Sequence, residues 1–193
     1  MKRLRANKMT RCALALCLCA ALTAGTEFAV SAQTLPEAIA LHNSAAAGDA
    51  KDLDAAVSML EALSEADPEN AEIVAYLGSA YAITAREGRN VVSKMRNTNK
   101  ALRHLDQALE MEPDNFSVRM VRASVQRNLP PMFNRADDAV EDMVVLDRLF
   151  QATDKAPRSM AEAMLSIYDH LLAHAASRGD WAAGRDIALD RSK

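Results

Sequence analysis

The same punctuation occurs twice in this chain. An amphipathic run ends in acid-Pro-acid-Asn, and a second run starts at once. The two stretches are LEALSEADPEN at 60–70 and LDQALEMEPDN at 105–115, followed by AEIVAYLGSAY at 71–81 and FSVRMVRASV at 116–125. Each stretch predicts a pair of helices with a proline at the turn between two pairs. A self-similar helix pair cannot bury its apolar face alone and must stack on its neighbours. The expected product is all-α, an α-solenoid of stacked helix–turn–helix hairpins. That architecture is used far more for holding other molecules than for chemistry.

The N-terminus reads as a separate segment. MKRLRANK at 1–8 is basic, Cys12 to Ala24 is an apolar run of 13 residues, and small residues around Val30 and Ala32 precede a cut site. This order is that of a cleaved secretory signal, expected at 1–32, with the folded part at 33–193. A helix of 13 residues covers roughly 20 Å, short of the ~30 Å of hydrocarbon in a bilayer. Glu27 closes off any extension, so no membrane span is expected after cleavage. Cys12, Cys17 and Cys19 all lie in this leader, which leaves the rest without thiols or disulfides. Leu16 and Leu18 stand before Cys17 and Cys19, where a lipidated leader needs a small residue. The leader holds five basic residues and one acid, so the formal charge of −3 becomes −7 without it. That balance argues against general binding to nucleic acid or anionic lipid. The expected location is periplasmic or secreted.

Glycines and prolines mark the helix ends. Periodicity and breakers predict helices at 35–47, 53–66, 71–86, 90–111, 116–128, 135–152 and 159–178, then a short one from Trp181. No strand-like alternation is long enough to compete.

The hairpins resemble the tetratricopeptide repeat, a 34-residue helix–turn–helix unit. Leu77-Gly78 and Tyr81 match its Leu-Gly and Tyr, with Val74 in place of the usual Trp. Ala101, Leu105, Ala108 and Pro113 match the pattern of its second helix. Small residues are needed where the two helices cross closely, and large ones fill the space beside them. Pro68 to Pro113 spans 45 residues, so this unit carries 11 extra residues around Arg86–Arg96. Eleven residues are almost three helical turns, which lets both helices lengthen with their apolar faces in register. The resemblance implies that the first helices of successive units line a concave groove. On this sequence that gives Glu72, Ala75, Ser79 and Ala82 from one unit, and Ser117, Met120, Ser124, Arg127 and Asn128 from the next. Family members that clamp a peptide's terminal carboxylate use Lys and Asn, where this chain has Ala75 and Ser79.

Chemistry finds little footing. There is no Gly-rich phosphate loop, no G-x-S-x-G elbow and no Cys/His pair outside the leader. Asp137-Asp138 and Glu141-Asp142 read as the solvent side of a helix whose core residues are Val140, Met143, Val144 and Leu146–Leu149. His170 and His174, four apart, suit one metal ion, but a site needs three or four ligands and no HExxH accompanies them. The wheel places His174 at the edge of the buried face and His170 farther out. No metal, cofactor or catalytic residue is expected. A basic run at Arg86, Arg89, Lys94, Arg96, Lys100 and Arg103 contrasts with an acidic region at 37–72. This suits a surface that orients a partner or pairs two copies, so a homo-oligomer stays open. The expected role is a non-catalytic adaptor for a protein or peptide of the cell envelope. A small-molecule or metal carrier is the alternative.

Overall fold

Both acid-Pro-acid-Asn stretches form the same turn. Asp67 and Glu112 end their helices with backbone N–H groups donating to Leu63 and Ala108 carbonyls at 2.9 and 3.1 Å. Asn70 and Asn115 then start the next helices. Each side-chain oxygen accepts from the backbone N–H three residues on, Ile73 at 3.2 Å and Val118 at 3.1 Å. Asparagine suits this place because its short amide satisfies a donor that the first turn leaves free. The repeat in the sequence is therefore a repeated stop-and-start signal.

The computed structural model describes residues 34–193, and the leader read at 1–32 lies outside them. The described residues are all-helical, with no strand among them. The helices are α1 (Leu35–Ala47), α2 (Lys51–Ala66), α3 (Ala71–Glu87), α4 (Val91–Met111), α5 (Phe116–Gln126), α6 (Ala136–Gln151), α7 (Arg158–His174) and α8 (Trp181–Arg191). Short 3-10 turns lie at Pro131–Phe133 and Ala176–Arg178. Thus α5 stops two residues before the predicted Asn128. The helix expected to reach Arg178 ends at His174. No described helix is long and apolar enough to cross a membrane.

Consecutive helices pair, α1 with α2, α3 with α4, α5 with α6 and α7 with α8, and α3 also packs on α1, α2 and α5. Gly78 explains the closest of these pairings. A Cβ there would stand 3.0 Å from both the Ala101 carbonyl and Leu105 Cγ of α4. Tyr81, one turn on, is buried between three helices. Its hydroxyl donates to Glu61 of α2 and accepts from Lys100 of α4. Leu105 and Ala108 are fully buried. A larger apolar cluster joins α5–α8 around Met143, Phe150, Met164 and Tyr168. Trp181 closes it, its indole N–H donating to the Ala175 carbonyl at 2.7 Å.

Two sequence expectations fail here. Asp142 is not on the solvent side of α6: it is 1% exposed. Arg119 and Arg122 of α5 each reach one of its carboxylate oxygens at 2.7 Å. Helical spacing puts Asp142 on the same face as Ala139, Met143 and Leu146. Two guanidiniums offset part of the cost of burying its charge, and burial still holds its pKa above the ordinary carboxylate value. Arg122 continues to Asp106 of α4 at 3.1 Å, and Arg135 joins Asp106 and Asp138 at 2.9 Å each. Three arginines and three aspartates thus tie α4, α5 and α6 together. The second failure concerns the histidines of α7. His174 is the exposed one and His170 is half-buried. Arg127, just beyond the end of α5, reaches the Ser166 carbonyl at 3.5 Å, one turn before His170.

Gln126, also 1% exposed, has neither amide atom hydrogen-bonded to the protein. Burying an amide without partners costs more than burying a thioether of similar size. Gln126→Met is therefore expected to stabilise the fold by about 1 kcal/mol, read as a raised midpoint in urea. A lowered midpoint would show that the amide is needed.

Candidate functional site

A cleft of about 970 Å³ opens among α1, α3, α4, α5 and the loop after α5. Its α3 side carries Tyr76, Ser79, Ala82 and Ile83, the residues left over when Leu77, Gly78 and Tyr81 turn toward α2 and α4. From α5 come Met120, Val121, Ser124 and Val125, with Asn128 just beyond its end. The loop adds Leu129, Pro130, Met132 and Phe133. Pro130 and Pro131 force this loop out of helix, and Asn134 at φ 51° turns it back toward α6.

Five of the nine residues expected in a groove line this cleft: Ser79, Ala82, Met120, Ser124 and Asn128. The other four do not. Ala75 is fully buried among Val74, Leu105, Ala108 and Val118, and offers no surface to a ligand. Glu72 and Ser117 sit in the first turns of α3 and α5, away from the half of each helix that faces the cleft. Arg127 points instead toward α7.

Sequence reasoning missed the α1 and α4 walls. His42, Asn43 and Ala46 come from α1. The rule that selected α3 and α5 also selects α1, the first helix of the preceding pair. From α4 come Val91, Lys94, Met95 and Thr98. They continue the buried stripe of Ala101, Leu102, Leu105 and Ala108 by two more turns, so spacing alone marked them. These turns hold much of the extra length at 86–96. That length is not a projecting insert. It is shared between the facing ends of α3 and α4, with the turn at 88–90 between them. Deleting residues 87–97 would therefore remove the turn itself.

One buried polar pair marks the cleft. His42 Nδ1 lies 3.0 Å from Asn43 Oδ1, and Nε2 lies 2.8 Å from Ser79 Oγ. An amide oxygen only accepts, so Nδ1 carries the hydrogen and Nε2 accepts from the Ser79 hydroxyl. Tyr76 meets the imidazole edge-on at 5.1 Å. Ser79 lies in mid-helix, where neighbouring N–H groups are already used by helical bonding. The pair thus has no adjacent backbone donors for an oxyanion. Each of the two side chains satisfies a buried polar atom of the other.

Burial pushes the His42 pKa down against the smaller opposing effect of the Asn43 hydrogen bond. Burial also lowers His104, helped by Lys100 and Arg103, and His170, helped by His174 and Arg127. All three favour the neutral form when folded, so the unfolded chain binds more protons in acid. Their stabilising contribution is present above the ordinary value near 6.5 and is lost as pH falls through the lowered folded values. The melting temperature is expected to fall between pH 7 and pH 5, and His42→Gln to flatten part of that slope. An unchanged slope in the variant would remove His42 from this account.

His170 and His174 come together, with ring centroids 4.4 Å apart. Among the described residues, no three His, Cys, Asp or Glu side chains gather as a metal site. No family model matches the chain, and searches of curated proteins and of solved structures return no match either.

Proposed function

We propose that this chain is a non-catalytic, exported adaptor that holds a segment of another cell-envelope protein in the cleft. The hairpins would form a tetratricopeptide-like solenoid, with α1, α3 and α5 as the first helices that line its concave side. The cleft itself carries the reading. Its walls are mainly apolar, and a few polar groups (Ser79, Thr98, Ser124 and Asn128) are placed to fix the orientation of a guest. A small-molecule carrier is the second reading, favoured by a volume within the range of small-ligand pockets.

The test is a pull-down from envelope extract. Met120→Glu puts a charge on the cleft wall, and Ser124→Arg fills the space in front of it. Both are expected to lose one specific partner by at least about tenfold, with the helical circular-dichroism signal retained. Arg127→Glu, outside the cleft, is expected to keep that partner. Loss only with Arg127→Glu would move the site to the face of α7.

A further inference from the structure

We infer that the segment held in the cleft is apolar and carries acidic residues at the end that meets the start of α4. This rests on the adaptor reading and names the chemistry of its guest. The first observation is charge. Acidic residues outnumber basic ones 26 to 23 in the chain, yet the cleft is lined by Arg86 and Lys94 and by no carboxylate among the described residues. Arg86 is already engaged. It donates to the Ala45 and Ala46 carbonyls at the end of α1 and pairs with Glu87 at 2.8 Å. Lys94 is exposed, and no described carboxylate lies within ion-pair distance of it. The same is true of Arg89 and Arg96 on either side. In the same molecule Arg119, Arg122 and Arg135 are all matched to aspartates. Lys51, Arg103, Arg127, Lys155, Arg178 and Arg191 also lack a carboxylate partner among the described residues, but of all these unmatched cations Lys94 alone lines the apolar cleft, with Arg89 and Arg96 near it in sequence.

The second observation separates a polypeptide from a small ligand. Val91 and Met132 line the cleft and remain 73% exposed, and Val92 beside them is 77% exposed. A molecule confined to the cleft would cover Val91 and Met132 only on their cleft side and leave Val92 in water. A chain that runs through the cleft and out over α4 covers the rim and brings its side chains to Lys94 and Arg89 or Arg96.

The probe is a library of random dodecapeptides, selected in parallel on the protein, on its Lys94→Glu variant and on its Met120→Glu variant. Peptides enriched on the wild type are expected to be rich in Leu, Phe or Met and in Asp or Glu, and absent from the Met120→Glu selection. Individual peptides are expected to lose about threefold to tenfold in affinity with Lys94→Glu. Exchanging their acidic residues for Lys should restore binding to that variant, as a double-mutant cycle requires. Met120-dependent peptides with no acidic bias would overturn the inference and leave the adaptor reading standing. Failure to enrich any peptide would overturn both. So would displacement of enriched peptides by dodecanoate with the peptides' own charge irrelevant, which would identify a small-molecule carrier.

Discussion

Replacing Asp142 with alanine is expected to lower the free energy of unfolding by about 3–5 kcal/mol. The carboxylate is the shared partner of Arg119 and Arg122, and Arg122 is itself buried. Removing it leaves Arg119 with no carboxylate and Arg122 with only the longer contacts to Asp106 and Asp138, both guanidiniums in a site that water hardly reaches. Charge desolvation dominates such losses, well above the few tenths of a kcal/mol typical of exposed pairs. Arg148–Asp114, solvent-exposed on both sides, provides the contrast. Arg148→Ala should change stability by less than about 1 kcal/mol. Asp142→Asn keeps the shape and one acceptor oxygen, so it should fall between the two. Urea unfolding followed by circular dichroism measures all three. A cost below that of Arg148→Ala would mean that the arginines find other partners, and the network would lose its role as a tie between α4, α5 and α6.

Gly78→Leu is expected to cost about 3 kcal/mol, at the upper end for overpacking a close contact. A Cβ alone would already sit 3.0 Å from the Ala101 carbonyl, which is backbone and cannot swing aside. The remaining side-chain atoms have no space unless α3 and α4 part. Leucine gains about 1 kcal/mol of helix propensity over glycine, too little to offset this. Separation of α3 from α4 also shifts Val91, Lys94 and Met95 relative to Ser79 and Ala82. Under the proposed adaptor role, peptide binding should therefore weaken more than the loss of folded protein explains. Thermal melts and binding measured well below the melting temperature separate the two effects. Unchanged stability would place the helices farther apart than Gly78 implies.

Much of this arrangement was legible along the chain. Apolar spacing and breakers placed α1 to the residue and most other ends within one or two. Leu77, Gly78, Tyr81, Ala101, Leu105 and Ala108 announced the α3–α4 contact. The groove was only half legible. Helix spacing names the face of α3 or α5 that points inward, but it does not say which end of that face stays open. Glu72 and Ser117 share the pattern of Ala82 and Ser124, yet the walls from α4 and the 129–133 loop rise at the other end. Asp142 misled for a related reason. A charged residue on an amphipathic helix reads as solvated unless its partner is known, and that partner lies on another helix.

Short-range physics wrote the helices, their caps and their apolar stripes into the sequence, because each depends on residues a few positions apart. Where the cleft opens, which charges are matched and which stay unmatched were decided only when separate helices met. Those properties belong to contacts between residues on different helices, and no local pattern encodes them.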